Sequence, residues 1–227
     1  MTKSARDYRE LLLSGRWFHG LPEAFQARLV SDAVLREVKA ETYLFSRGDA
    51  PDGLYACVDG AVRVTGQGAL GKEAVLALVE PPQWFGEISV FDGLPRTHDA
   101  IVAIDSKVLN VPTNALTAML NEHPTWWRDL ALLATAKLRM AFIALEDLAV
   151  MPLSLRVARQ LVLMAEGYGE WTDHSKRVLK IRQELLAGMV SASRQSINQV
   201  LKDFEARGLI RLAYGEIEIV DLAGLRT

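Results

Sequence analysis

Five polar side chains share one helical face near the C-terminal end of this chain: Arg194, Gln195, Asn198, Gln199 and Lys202. At 3.6 residues per turn their spacing stacks them side by side. The face carries no acid. Its members are the types that bond base edges and phosphates. The back of the same helix is apolar, with Ile197, Val200, Leu201 and Phe204 at i, i+3, i+4 and i+7. Ser193 stands just before it, where a side-chain hydroxyl caps the first free N–H groups. Upstream, Leu186, Met189 and Val190 make a second, shorter apolar face, and Ser191-Ala192-Ser193 breaks the pattern between the two. Two short helices joined by a tight turn, the second with an apolar back and such a front, fit the major groove of a DNA duplex.

Something must hold that helix in place, and 227 residues allow a second domain to do it. Apolar residues make up 50% of the chain and the net charge is −2, so no global basic character marks a nucleic-acid binder. The charge is unevenly divided. Residues 1–149 hold 15 Lys and Arg against 19 Asp and Glu, and residues 150–227 hold 11 against 9, so only the C-terminal part is net positive. The single cysteine, Cys57, permits no internal disulfide and excludes an intrachain iron–sulfur cluster, which needs about four. Cys57 lies at an alternating strand position and is expected to be a small buried hydrophobe. The four histidines, His19, His98, His123 and His174, are scattered and read as surface or cap residues rather than ligands. The expected metal complement is none. No nucleophile–base pair, metal-ligand spacing or phosphate-binding glycine loop is evident, so no catalytic residue and no enzyme is expected. There is no apolar run of 18 residues and no leader-like segment, which makes a cytoplasmic protein without a membrane partner the expectation.

The hydrophobic period changes twice along the chain. Residues 8–35 read as short helices, with Pro22 near the start of one. From about 36 to 111 the period is 2, punctuated by Gly48-Asp49, Pro51-Asp52-Gly53, Asp59-Gly60, Pro81-Pro82 and Asp92-Gly93, the pattern of a β-sandwich or roll. From Pro124 to Val150 it returns to a helical repeat. Leu130, Ala134, Leu138, Ala141, Leu145 and Leu148 recur at steps of 4, 4, 3, 4 and 3, a narrow stripe that suits either a dimer seam, the favoured reading, or packing on the chain's own β-domain. Pro152 ends this helix and marks a hinge. Residues 153–169 form another amphipathic helix, on Leu155, Ala158, Leu161 and Val162. After the two short helices, Gly208 stops the second. Residues 209–220 alternate around Tyr214-Gly215 as a β-hairpin, the wing of a winged helix. The expected division is 1–123, 124–151 and 152–227, in an α+β fold.

Over roughly residues 15–221 the chain resembles the cyclic-AMP receptor protein / fumarate-nitrate regulator (Crp/Fnr) superfamily of bacterial transcription regulators. The likeness rests on Leu44-Phe45 to Gly48-Asp49, Leu54-Tyr55, Val58, Gly60, Val62, Val64, Phe85-Gly86-Glu87-Ile88 and Pro95-Arg96-Thr97. In the C-terminal part it rests on Gln183-Glu184, Leu186-Ala187, Val190, Ala192-Ser193-Arg194 and the run from Leu201 to Leu209-Ile210. The resemblance implies an N-terminal β-roll like a cyclic-nucleotide-binding domain, a long dimerisation helix and a C-terminal winged helix-turn-helix. It implies a homodimer on a two-fold-related double-stranded DNA operator, with the reading helices about 34 Å apart, and RNA polymerase as a partner. Arg194 matches the family's guanine-reading arginine. Gln195 and Gln199 replace a Glu and an Arg of the best-known member, so the operator is expected to differ. Ser193, Ser196 and Lys202 are expected at phosphates, while Lys176, Arg177, Lys180 and Arg182 read equally as phosphate contacts or a solvated loop.

The segment FGEISVFDGLPRT resembles the family's phosphate-binding cassette, with cAMP or cGMP as candidate effector. There Gly86 permits close backbone approach and free N–H groups at the start of the short helix after Phe85 face an anion. Arg96 and Thr97 meet the cyclic phosphate, and Glu87 accepts from a ribose hydroxyl. The other reading pairs Arg96 with Glu87 in an empty roll. His98 and Asp99 stand where the family's nucleotide binders usually have a small residue. Ala141 and Phe142 stand where those binders place a hydroxyl for adenine. A different nucleotide, or a constitutive DNA binder with a vestigial pocket, therefore stays open, as does the more distant reading of a nucleotide sensor without DNA binding.

Overall fold

The computed structural model describes residues 4–67, 73–169, 175 and 177–226. A 3₁₀ turn at Ala5–Tyr8 leads into three helices, α1 (Arg9–Leu13), α2 (Arg16–His19) and α3 (Glu23–Asp32). The strands β1 (Val34–Val38), β2 (Tyr43–Phe45), β3 (Gly53–Gln67), β4 (Glu73–Val79) and β5 (Trp84–Phe85) follow, then the short helix α4 (Ile88–Asp92), strand β6 (Asp99–Pro112) and helix α5 (Thr113–Glu122). The long helix α6 (Trp126–Val150) comes next, then α7 (Leu153–Ala165), β7 (Val178–Leu179), α8 (Gln183–Met189), α9 (Arg194–Ala206), β8 (Ile210–Ala213), β9 (Glu216–Ile219) and α10 (Leu222–Leu225). Tertiary contacts divide these elements into two compact units; the division falls inside α6, between Arg139 and Met140, and also inside β4, between Val75 and Leu76.

The first unit is built on one sheet of order β1-β6-β3-β4, with β2 paired to β6 and β5 to β3. The long pair β3–β6 runs antiparallel from Gly53↔Pro112 to Thr65↔Asp99, and its register slips between Cys57 and Val62. Such bulges tighten the local twist and let a sheet roll up. Gly60 sits in this stretch at φ +85, where a Cβ would fall 2.1 Å from the Ser106 hydroxyl. Inside the roll pack Leu44, Phe45, Tyr55, Cys57, Val62, Phe85, Val102 and Val108. Cys57 is fully buried, as its strand position predicts. A second core joins α3, α5 and the first turns of α6 to the sheet, with Phe25 stacked on Trp126 at 4.6 Å and Phe18 on Trp84 at 5.7 Å. His123 caps the end of α5 and lies 4.1 Å from the Trp126 ring.

The long helix departs from its expected seam at one end. Leu130 is fully buried in the first unit's own core, with Leu133 beside it. It has no surface left for a partner, because the first turns of α6 pack into that core, where Trp126 stacks on Phe25 of α3. Ala134 is half-buried, whereas Leu138, Ala141, Leu145 and Leu148 are exposed. Helix α5 was not anticipated. Its Leu116, Met119 and Leu120 have the right period and are buried, but it starts directly on Pro112, the last residue of β6, with no turn signal between.

In the second unit α7 buries Val157, Ala158, Leu161, Val162, Met164 and Ala165. Leu155, expected on that face, is 43% exposed, and the helix stops at Ala165 rather than running to 169. Strands β8 and β9 pair as the expected hairpin around Tyr214-Gly215, and β7 adds a third strand against β9.

Candidate nucleic-acid interface and effector pocket

The turn between α8 and α9 is held by backbone bonds. Ala192 N–H donates to Ala187 C=O at 2.9 Å, and Ser191 N–H to Gly188 C=O at 3.3 Å. To make this corner Ser191 adopts φ +53, a left-handed conformation that favours glycine. Ser193 caps α9: its hydroxyl accepts from Ser196 N–H at 3.1 Å and lies 2.8 Å from the Ser196 hydroxyl. At the other end Leu209 N–H returns to Phe204 C=O and Gly208, at φ +73, donates to Glu205 C=O, the paired bonds of a Schellman stop. The buried face of α9 is Ile197, Leu201 and Phe204. Arg194, Gln195, Gln199 and Lys202 are exposed on the other side, with Asn198 and Ser196 half-buried. The structure therefore brings all seven expected DNA-facing residues onto one helix and its cap. The N-terminal end of this 13-residue helix also presents the positive end of its dipole.

Two features there were not expected. Arg194 Nη1 makes an ion pair with Glu184 Oε1 of α8 at 2.9 Å. Both line a cleft of about 500 Å³, together with Asn198 and the wing residues Tyr214 and Glu216. Tyr214 is fully exposed at the wing tip. The basic run before α8 includes the two-residue strand β7. Leu179, paired with Ile217 of β9, is buried, as is Ile181 beyond the strand, while Lys180 and Arg182 are exposed. Arg177 is exposed as well, and Lys176 lies outside the described residues.

In the β-roll, Gly86 adopts φ +91, and a Cβ there would meet Arg96 Nη1 at 3.0 Å. Arg96 runs inward to 3% side-chain exposure. Its Nη1 donates to Gly86 C=O at 2.7 Å, and its Nη2 donates to Gly53 C=O and to Asp52 Oδ1, each at 2.6 Å. The guanidinium lies 4.2 Å from the Phe45 ring centroid. Asp52 also accepts from the Tyr55 hydroxyl, whose pKa is pushed up by burial first and by that carboxylate second. Glu87 is buried and pairs with Lys137 of α6 at 2.7 Å. Arg96 and Glu87 thus have separate partners, contrary to the reading that pairs them with each other. Neither partner was legible, since Asp52 is 44 residues from Arg96 and Lys137 is 50 from Glu87.

Ile88 and Thr97 are exposed, and the Thr97 hydroxyl lies 2.9 Å from His98 Nδ1. Asp99 accepts from Arg47 N–H at 2.7 Å, so this acid is engaged by the neighbouring loop. Partial burial, then the nearby Arg47 charge, hold the His98 pKa below its usual value, with Asp99 opposing them.

Residues 35–123 match the cyclic nucleotide-binding domain, and residues 155–227 match the Crp-like helix-turn-helix domain. The chain is 30% identical over 213 residues to the CRP-like cAMP-activated global transcriptional regulator of Mycobacterium tuberculosis, covering 93% of this chain and 95% of that one. This chain belongs to the Crp/Fnr family. The catabolite activator protein of Thermus thermophilus is 30% identical, with a TM-score of 0.52 over 92% of this chain and 95% of that one. FixK2 of Bradyrhizobium japonicum is 18% identical with a TM-score of 0.76 over 85% and 95%, a likeness of fold alone. As a Crp/Fnr member the chain is a DNA-binding transcriptional regulator, as the Mycobacterium tuberculosis relative is. Among the described residues no helix is long and apolar enough to cross a membrane, and no group of three His, Cys, Asp or Glu is placed to hold a metal ion.

Proposed function

We propose that the chain is a homodimeric, sequence-specific regulator whose operator binding is gated by a small molecule in the β-roll. The observation that carries the DNA-reading part is α9: an apolar back locked into its unit and a front of Arg194, Gln195, Asn198, Gln199 and Lys202 without an acid. Arg194 and the two glutamines read bases, while Ser193, Ser196 and Lys202 hold phosphates. The dimer forms along Leu138, Ala141, Leu145 and Leu148, with Ala134 at its edge. It works in the cytoplasm, with RNA polymerase as the partner that turns occupancy into transcription. Residues 1–123, 124–151 and 152–227 serve as sensor, coupling helix and reader.

For the effector, the domain match and the cAMP-activated relatives favour a cyclic nucleotide, cAMP or cGMP, held by the cassette Gly86, Glu87, Ile88, Arg96 and Thr97. Gating follows if the ligand binds one arrangement of the long helices more tightly than the other. One observation favours a second reading, a constitutive regulator with a vestigial pocket: Arg96 already has an anionic partner in Asp52. Selection of bound duplexes from a random pool, with and without each cyclic nucleotide, separates the two. A nucleotide-dependent rise in operator affinity supports gating, and the same two-fold-related motif at equal affinity in every condition supports the vestigial pocket. Absence of any enriched motif overturns the DNA-reading assignment itself.

A further inference from the structure

We propose that Glu184 is a positioning residue for Arg194, converting it from a general phosphate cation into a reader of bases; this rests on the DNA-reading assignment above. The two residues come from different helices of the motif, Glu184 from α8 and Arg194 from the first position of α9, and their ion pair at 2.9 Å joins them. Both side chains are more than half exposed, 57% for Glu184 and 70% for Arg194, so burial does not force them together. They share a cleft between the start of α9 and the wing with Asn198 and Tyr214.

An acid at this place needs a reason. Near a duplex it faces a row of phosphates, and an unpaired carboxylate there weakens every complex. Paired with Arg194 it leaves a local net charge of zero, so the long-range pull of Arg194 on phosphates is cancelled. What survives is directional. A guanidinium has five N–H donors. With Nη1 facing the carboxylate, Nε and Nη2 stay free to meet the two adjacent acceptors of guanine, O6 and N7. The pair is weak in water, but it strengthens when docking removes the solvent around it. Arg194 also enters the groove with its side chain already oriented, so less rotamer freedom is lost on binding. A guanine edge gains from this arrangement, whereas a phosphate is repelled by the acid behind it.

The test compares full-length wild type, E184Q and E184A, each alone and combined with Arg194→Ala. Competition on the selected operator and on operators altered at each base pair in turn is the measurement. Preference at the Arg194 base pair is decisive, because removing an acid near phosphates tightens all complexes by charge alone. With Arg194 present, E184Q should lower that preference about tenfold and E184A further. In the Arg194→Ala background the same substitutions should move it less than about twofold. An equal shift in both backgrounds, or none in either, overturns the role of Glu184 while leaving the DNA reading intact. A wild-type protein with no preference at any base pair overturns both.

Discussion

Arg96 lies beneath Phe45 with its two Nη groups on Asp52, Gly53 C=O and Gly86 C=O. A buried guanidinium needs such partners, since removing one leaves charge uncompensated in a low-dielectric site. Asp52 is partly exposed, so solvent screens part of the pair. Asp52→Ala should therefore lower unfolding stability by about 2 kcal/mol, read as a shift of the urea midpoint. His98 makes a second prediction at this scale. Its folded pKa is depressed below the ordinary 6.5 by partial burial and by Arg47. Above that value both folded and unfolded chains are neutral at this ring and it contributes nothing. As pH falls below about 6.5 the unfolded chain takes up a proton that the folded chain resists, so stability declines. His98→Gln should remove that part of the decline in unfolding free energy measured between pH 7 and 5. The third concerns Arg194. Arg194→Ala should lose about 1–3 kcal/mol of discrimination at one base pair, measured by competition with operators altered singly. Equal weakening on all sequences would mark it as a phosphate contact.

Elements show which parts of the molecule announce themselves in the sequence. The reading helix did, because its cap, its period and its stopping glycine all lie within 16 residues, Ser193 to Gly208. The hairpin did, through the two-residue turn at Tyr214-Gly215. Helix α5 carries the correct period yet abuts β6 without punctuation, and β7 is a strand only because β9 lies beside it. The ion pairs Arg96–Asp52, Glu87–Lys137 and Arg194–Glu184 depend on tertiary placement, which no local pattern encodes. The same limit explains Leu130. A heptad stripe specifies a face of α6, not which stretch of that face the chain's own core will cover. The exposed stretch supplies the prediction at this scale. Leu145 is 61% exposed, so Leu145→Lys should leave the protomer folded by circular dichroism. In a two-fold dimer it removes two apolar contacts of about 1.5–3 kcal/mol each. Dimer affinity, measured by sedimentation at falling concentration, should weaken by at least about a hundredfold. A dimer of unchanged affinity would place the seam elsewhere.

At the scale of the whole molecule, the charge is arranged so that one reading head alone is a weak ligand. Residues 150–227 carry a net charge of only +2, too little for tight sequence-independent binding by phosphate neutralisation. A front of five polar side chains on one helix spans only a few base pairs. In the proposed homodimer, affinity and specificity come from two heads acting together, and the second engagement is effectively intramolecular once the first is made. That gain exists only if both heads meet the same side of the duplex. Half-sites one helical turn apart, about 10 base pairs, satisfy this; half-sites separated by an extra half turn face opposite sides. Inserting five base pairs between the half-sites of the selected operator should thus reduce affinity about a hundredfold or more, to the level of a single half-site. Inserting ten restores the facing but lengthens the span, so a rigid long helix predicts poor recovery and a flexible link predicts recovery. Measured on duplexes with zero, five and ten added base pairs, a loss at both five and ten points to a rigid spacer. Equal affinity for all three would show that the heads bind independently, and the dimer would then have no part in reading DNA.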